Sequence, residues 1–426
     1  MPTVSLITTA FARDHAAASR NYGMPGYHPH VLVEHPIAGL GRERVAARIE
    51  RVIDGIVRQL TDPVPVPAEA GVSADDANAR LRCADPWAEA QRLFVERCWS
   101  DGLPIVPPTE EAVAAMLGGT RRSRDEVVAV LTPGLGRATV EKIATNAVMA
   151  GCEPAHLPLI IAAVEAMADE RFTLHTVAQS TTPSAPLFLI NGPVIERLGL
   201  NFSTCALGPG VPSRANVVIG RALRLCLMNL GHAYPQHSDM DTIGSPIKFS
   251  LVLPEHEAAN PWEPFHVEHG FGREESVVTA CPIWDLRAAS DLKSGTPELL
   301  LQAYAGELGT MATGRFASTN PPFPFGSTPL VIFPPDHARI FREAGWTKDD
   351  VRRFLFVHAT VPGWRFAYHP TAFEDTRRWA PVVSPFVQIS VLEFPERLQI
   401  AVAGGPGSIG FVCPPFGHFV SRRIEE

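Results

Sequence analysis

The sequence predicts an α/β protein in two unequal parts. Short β-type runs alternate with helical stripes over residues 1 to 60, a stretch rich in Pro, Ala and Asp without any period follows, and strand and helix patterns then alternate again towards the C-terminus. The boundaries fall at 1–62 for a partial α/β half-domain, 63–85 for a linker and 86–426 for a large α/β catalytic domain.

In the first part, "TVSLI" is a strand and "FARDHAAASRNYG" a helix stopped by Gly23. "HVLVEHP" is a second strand, ended by Pro36. "GRERVAARIERVIDGIVRQLT" places Val45, Ile49, Val52, Ile53 and Ile56 on one helical stripe. Alternating β and α implies a parallel sheet, and two strands are too few for one. The expectation is that further strands come from later in the chain or from another chain.

In the second part, "PWAEAQRLFVERCWSDG" is a helix stopped by Gly102, "LPIVPPT" a strand, and "EEAVAAML" a helix capped by Thr109. "ATVEKIATNAVMAG" and "CEPAHLPLIIAAVEAMAD" form a helical hairpin, with Pro154 in the first turn of the second helix. "APLFLINGPV" is a buried strand, and a tight loop then opens onto a long helix begun near Ser213. "PIKFSLVL", "SVVTACPIW" and "PLVIF" read as strands. "DHARIFREAG" and "TKDDVRRFLFVHA" read as helices, Thr347 and Asp350 having capping-box spacing. "LQIAVAGGPGSIG" is a last strand running into a Gly-rich loop. "LPIVPPTEEAV" and "PLVIFPPDHARI" share a strand–Pro-Pro–helix form, a weak hint of a duplicated half.

Composition narrows the function. The chain has 426 residues, 46% of them apolar and 19% charged, with net charge −8. No basic patch stands out, so nucleic acid is not an expected partner. No apolar run is long enough to span a bilayer, and the N-terminus lacks a signal-peptide pattern. Seven scattered cysteines without a CxxC pair fit a cytoplasmic protein with reduced thiols.

The chemistry-bearing stretch is "HSDMDTIGSPIKFSLVLPEHEAANPWEPFHVEHGF", residues 237–271. His237, Asp239 and Asp241 lie on one loop; Glu255, Glu257, His266 and Glu268 lie on the next. If the strand between them doubles back, the loops meet, and His237, Asp239, Glu257 and His266 could hold a divalent metal ion. The ordinary alternative is a solvated loop in which Asp239 caps a turn. In that alternative His256, Glu257 and His269 are surface residues. Cys152 sits where a helix start would stabilise a thiolate, although a buried structural cysteine is the commoner outcome. Cys205 lies in the Gly-rich "STCALGPG" loop. "LGPGVPSRAN" is the best anion site among the glycine turns, with Arg214 and Asn216 nearby, but it matches no nucleotide motif. Ser180, Thr181 and Thr182 offer hydroxyls to a small polar substrate, and no GxSxG elbow surrounds them.

Residues 8–61 resemble the second half of the domain in the UGSC family of selenoproteins and their cysteine homologues. "NAVMAGCEPAHLPLIIAAVEAM", "NGPV", "RANVVIGRALRL", "DMDTIG", "EHEAANPWEPFHVEHGF" and "GWTKDDVRRFLFVHA" resemble the large domain found with or fused to it. The resemblance places Asn146, Cys152, Asn191, Asn216, Asp239, Glu257, Trp262 and His266 on positions of its pattern. It implies thiol or selenol redox chemistry and a flavodoxin-like first unit. The Sec/Cys-Gly-Ser-Cys motif is missing from this chain, which implies a small CGSC-bearing partner subunit.

The expectation is therefore an enzyme, or the large subunit of a hetero-oligomeric one, acting on a small polar or anionic metabolite. His266 would be the acid/base group, Asp239 and Glu257 would orient it or hold a metal, and Cys152 or a partner thiol would be the nucleophile or redox centre. Asn146, Asn191, Cys205, Arg214, Asn216 and Trp262 would contact substrate. A metal-dependent lyase or hydratase and a non-catalytic scaffold for the small thiol protein are the alternatives.

Overall fold

The computed structural model describes residues 4–21, 29–37, 40–61, 80–314, 328–362, 387–392 and 394–425. Gly23 and residues 63–79 of the expected linker lie outside these.

The first part follows its sequence pattern. Strand β1 (Ser5–Thr8) leads to helix α1 (Ala12–Asn21), β2 (His30–Val33), α2 (Arg42–Glu50) and α3 (Ile53–Thr61). The single helical stripe is thus two helices, broken at Arg51 and Val52. β1 and β2 pair in parallel, Ser5 opposite His30, and form a sheet of only two strands among the described residues. Leu6 and Leu32 on this sheet and Ile53, Val57 and Leu60 on α3 remain exposed.

The second part opens with α4 (Pro86–Glu96), whose first turn Asp85 caps by accepting from the Trp87 and Ala88 amides. Helix α5 (Glu110–Leu117) has Thr109 as its cap. The expected strand "LPIVPPT" is not formed: residues 103–109 run as irregular chain between these helices. A hairpin of β3 (Val127–Leu131) and β4 (Gly136–Thr139), absent from the sequence reading, precedes α6 (Val140–Ala150). A 3₁₀ turn at Pro154–His156 then starts α7 (Leu157–Ala168).

The remaining elements are α8 (Leu174–Gln179), β5 (Ala185–Asn191), α9 (Val194–Arg197), α10 (Arg214–Asn229), β6 (Val252–Pro254), α11 (Phe265–Glu268), β7 (Val277–Ile283), β8 (Arg287–Ser290), α12 (Pro297–Gly314), β9 (Leu330–Phe333), α13 (Pro335–Ala344), α14 (Lys348–His358), β10 (Thr360–Pro362), β11 (Gln388–Ser390), β12 (Gln399–Val402), β13 (Ile409–Cys413) and β14 (Val420–Arg423). "PIKFSLVL" is strand only at its end, because Pro246–Lys248 turn as a 3₁₀ helix. "LQIAVAGGPGSIG" is not the last strand; it makes β12 and the start of β13.

Two four-stranded mixed sheets, ordered β14-β7-β5-β6 and β12-β9-β13-β8, pack face to face. Alternation along each strand decides the faces. Leu187 and Leu189 of β5 meet Leu330 and Ile332 of β9 in the core between the sheets. Phe188 and Ile190 point the other way, under α6, α7 and α10. Val331 and Phe333 lie under α12, α13 and α14. The result is a four-layer αββα sandwich.

The two halves of the sandwich repeat one topology. Apart from α8 and α11 in the first and β10 and β11 in the second, one copy runs α7-β5-α9-α10-β6-β7 and the other α12-β9-α13-α14-β12-β13. In each, the edge strand is parallel to its neighbour and the next two strands are antiparallel. The fourth strand is exchanged: β8 follows β7 but pairs with β13, and β14 follows β13 but pairs with β7. The crossings are reciprocal, Trp284 N donating to Pro414 O at 3.2 Å and Phe416 N to Pro282 O at 2.8 Å. Their sequences, "ACPIW" and "VCPPF", also correspond. The counterpart of "PLVIF" is therefore "PLFLI" at 186–190, not "LPIVPP".

Burial pushes the imidazoles of His156 and His337 below their ordinary range. Each then binds its proton more readily unfolded than folded, so stability falls as pH drops below the unfolded value near 6.5. Thermal melts between pH 7.5 and 5.5 (roughly one unit either side of a histidine's ordinary pKa) should show Tm decreasing towards acid; a flat or rising Tm contradicts this.

Candidate functional site

β5 and β6 are parallel and end together, and loops beyond the carboxyl ends of parallel strands are the usual ligand sites of α/β sheets. Asn191 is the last residue of β5 and is fully buried. Gly192 follows with φ +84°. A Cβ there would lie 2.2 Å from the Glu275 carbonyl oxygen, so only glycine fits. Its amide donates to Glu257 Oε1 at 2.7 Å, and Asn191 Nδ2 reaches the same oxygen at 3.1 Å.

Past β6, Glu255 and Glu257 alternate with His256 and so share a side. Glu255 is buried, and its carboxylate accepts four N–H groups. Asn191 Nδ2 at 2.5 Å and the Phe265 amide at 2.7 Å meet Oε2; Asn260 Nδ2 at 2.8 Å and the Val402 amide at 3.4 Å meet Oε1. Burial pushes the Glu255 carboxyl above its ordinary range, while Lys348 and the N–H donors pull against it. The Phe265 amide opens α11, which carries the fully buried His266. His266 Nδ1 stands 3.7 Å from Glu257 Oε1, and Nε2 3.3 Å from the Arg273 carbonyl oxygen. Glu257 keeps a quarter of its side chain exposed, whereas His266 lies fully buried behind it.

The second copy supplies a wall rather than a second site. Its registers place Pro334, Ala403 and Gly405 where the first copy has Asn191, Glu255 and Glu257. Gly405 packs where a Cβ would come 2.1 Å from Thr204 Oγ1, and the Gly404 amide donates to Phe202 O at 3.0 Å. The His256 amide donates to Val402 O at 2.7 Å, and its ring meets Phe202 edge to face.

Asp239 does not belong to this site. It lies before β6, ion-paired to Lys248 at 2.8 Å and Arg224 at 3.0 Å. Lys248 also holds Asp241 at 2.9 Å. The Thr242 amide bonds Thr181 O, before the start of β5. β5 has seven residues; at about 3.3 Å per residue its two ends lie about 20 Å apart. The strand between the two loops runs straight, so they sit at opposite ends of the sheet. The expected metal set of His237, Asp239, Glu257 and His266 is thereby corrected: these side chains do not converge, His237 is exposed beside Tyr234, and no group of three or more His, Cys, Asp or Glu among the described residues could hold a metal.

Other expected contacts have structural partners. Asn146 accepts from Asn229 Nδ2 at 2.7 Å and ties α6 to α10. Asn216 accepts the Asn201 amide and donates to the Asn201 and Ala206 carbonyls, fixing the 201–206 loop. Arg214 pairs with Glu153 on the surface. Trp262 donates to Trp346 O at 2.7 Å and packs beside Phe341. Glu268 is held by Lys348 and Arg352. His269 stacks on Phe265.

Cys152, one of the two thiols expected to react, is half-buried. Its Sγ donates to Val218 O at 3.3 Å, and burial pushes its pKa up, the opposite of what a nucleophile requires. Burial likewise raises Cys226 to about 12 and pushes up Cys281 and Cys413. Cys98 and Cys205 are exposed.

Among known proteins, the UGSC family matches residues 1–62, the α/β unit of β1 and β2. No curated protein and no solved structure matches the chain.

Two outcomes follow from this geometry. Glu255→Gln turns an acceptor into a donor facing N–H groups; it should cost about 2 kcal/mol or more, read as a lowered denaturation midpoint, and an unchanged midpoint contradicts the bonding described. Iodoacetamide on the folded protein should label Cys98 and Cys205 and spare Cys152, as read by peptide mass spectrometry; early labelling of Cys152 contradicts its assignment as structural.

Proposed function

We propose that the large domain is an acid–base enzyme acting on a small polar metabolite at Glu257 and His266. The carrying observation is the Glu257 carboxylate, oriented by the Gly192 amide and Asn191 Nδ2 and left partly open beside a buried imidazole. Proton transfer needs a group held in reach of substrate with its orientation set by neighbours, and Glu257 has both. Asn191 and Glu255 are positioning residues. Among the described residues no third ligand converges, which weighs against the metal-dependent lyase, and the raised thiol of Cys152 weighs against a nucleophile from this chain's α6–α7 turn.

A second reading concerns assembly. The β1–β2 sheet exposes Leu6 and Leu32, which a partner's strands would cover. We propose the CGSC-bearing small subunit as that partner, bringing any thiol chemistry with it.

Turnover is the test of the first reading. In an NMR screen of small polar metabolites, Glu257→Gln and His266→Gln should each lower the rate by about 10²–10⁴ with Tm preserved. Full turnover by both variants overturns the assignment. For the second, hydrogen exchange of the Leu6 and Leu32 amides should slow on adding a CGSC-bearing half-domain, and unchanged exchange contradicts it.

A further inference from the structure

The polar groups left open at this site are all acceptors. A carbonyl oxygen only accepts, so the contact of His266 Nε2 with Arg273 O puts a ring hydrogen on Nε2, and in the neutral ring Nδ1 is then a bare lone pair. Nδ1 is fully buried and has no hydrogen-bond partner among the described residues. At 3.7 Å it is too far from Glu257 Oε1 for a direct bond, and both atoms would be acceptors there. Asn191 Oδ1 is likewise buried without a partner, although its amide nitrogen serves Glu255 and Glu257. The local N–H donors are already committed: the Gly192 amide to Glu257, and the Phe265 amide and Asn260 Nδ2 to Glu255. Lys348 Nζ is held by Glu268 and the Glu263 carbonyl. Two carboxylates and two orphan acceptors are thus gathered without a free cation among the described groups that contact them.

We infer that the group entering between Glu257 and His266 is an organic cation, a protonated amine, where the sequence suggested a small polar or anionic metabolite. This rests on the reading of Glu257 and His266 as the reacting site. An ammonium carries donors only, and they match this set of acceptors. It also neutralises a carboxylate that has no cationic partner at this point, and a charge-assisted hydrogen bond to it is about twice as strong as a neutral one. A carboxylate ligand would instead meet Glu257 as a like charge.

The experiment uses the full chain and three probes of similar size: ethylammonium, acetate and ethylene glycol. Binding is read by saturation-transfer NMR at constant ionic strength. Ethylammonium should bind on the order of tenfold or more tighter than either other probe. Glu257→Gln and His266→Gln should both weaken it, and Arg92→Ala, a surface variant on α4, should leave it unchanged. Preference for acetate or ethylene glycol overturns the inference. So does the absence of ethylammonium binding, or binding that survives Glu257→Gln. If ethylammonium fails while turnover of some substrate still depends on Glu257, the ligand class falls and the acid–base reading stands. If ethylammonium binds through Glu257 while turnover ignores both variants, the ligand class stands and the acid–base reading falls.

Discussion

The large domain depends on one buried carboxylate. Glu255 receives N–H groups from the end of β5, from the 255–265 loop, from the first turn of α11 and from β12. A buried charge is tolerable only when its lone pairs are filled, and here donors meet both oxygens. The same bonds place the site. Asn191 is shared with Glu257, and the Phe265 amide fixes the short helix that carries His266. Removing that anion would therefore disturb geometry in both copies of the repeat.

The repeated topology explains why the site occurs once. Two copies exchange their last strands and pack their sheets together, which brings the ends of β6 and β12 into contact. The site of one copy must then be walled by the same position of the other. Polar groups at both would crowd two sets of buried charges. Pro334, Ala403 and Gly405 in the second copy avoid that, and glycine lets the loop approach Thr204 closely.

Much of this architecture was legible. Thr109 and the Thr347–Asp350 pair cap helices as their spacing implied, and both "APLFLIN" and "PLVIF" are strands in the core. His266 and Glu257 do meet. Asp239 does not join them, because loops before and after a straight strand lie at its opposite ends; only a strand that doubles back would unite them. The alternation Glu255-His256-Glu257 beyond an apolar strand, with "NGP" ending another, was the signal for the real cluster. "LPIVPPT" misled because its three prolines remove ladder donors. Exchange of β8 and β14 leaves only short traces in sequence, since pairing partners are set by tertiary packing. Cys152 looked activated by position, and its burial against α10 could not be read locally.

The account turns on the protonation of one ring. Long-range ¹H–¹⁵N correlation of histidine-labelled protein, with His266 assigned by His266→Gln, reports which nitrogen carries hydrogen. At neutral pH the account predicts hydrogen on Nε2 alone, with Nδ1 bare and shifting when ligand enters. Hydrogen on Nδ1 in the free protein would contradict it, because Glu257 would then face a donor and the cluster would lose the ring as an acceptor.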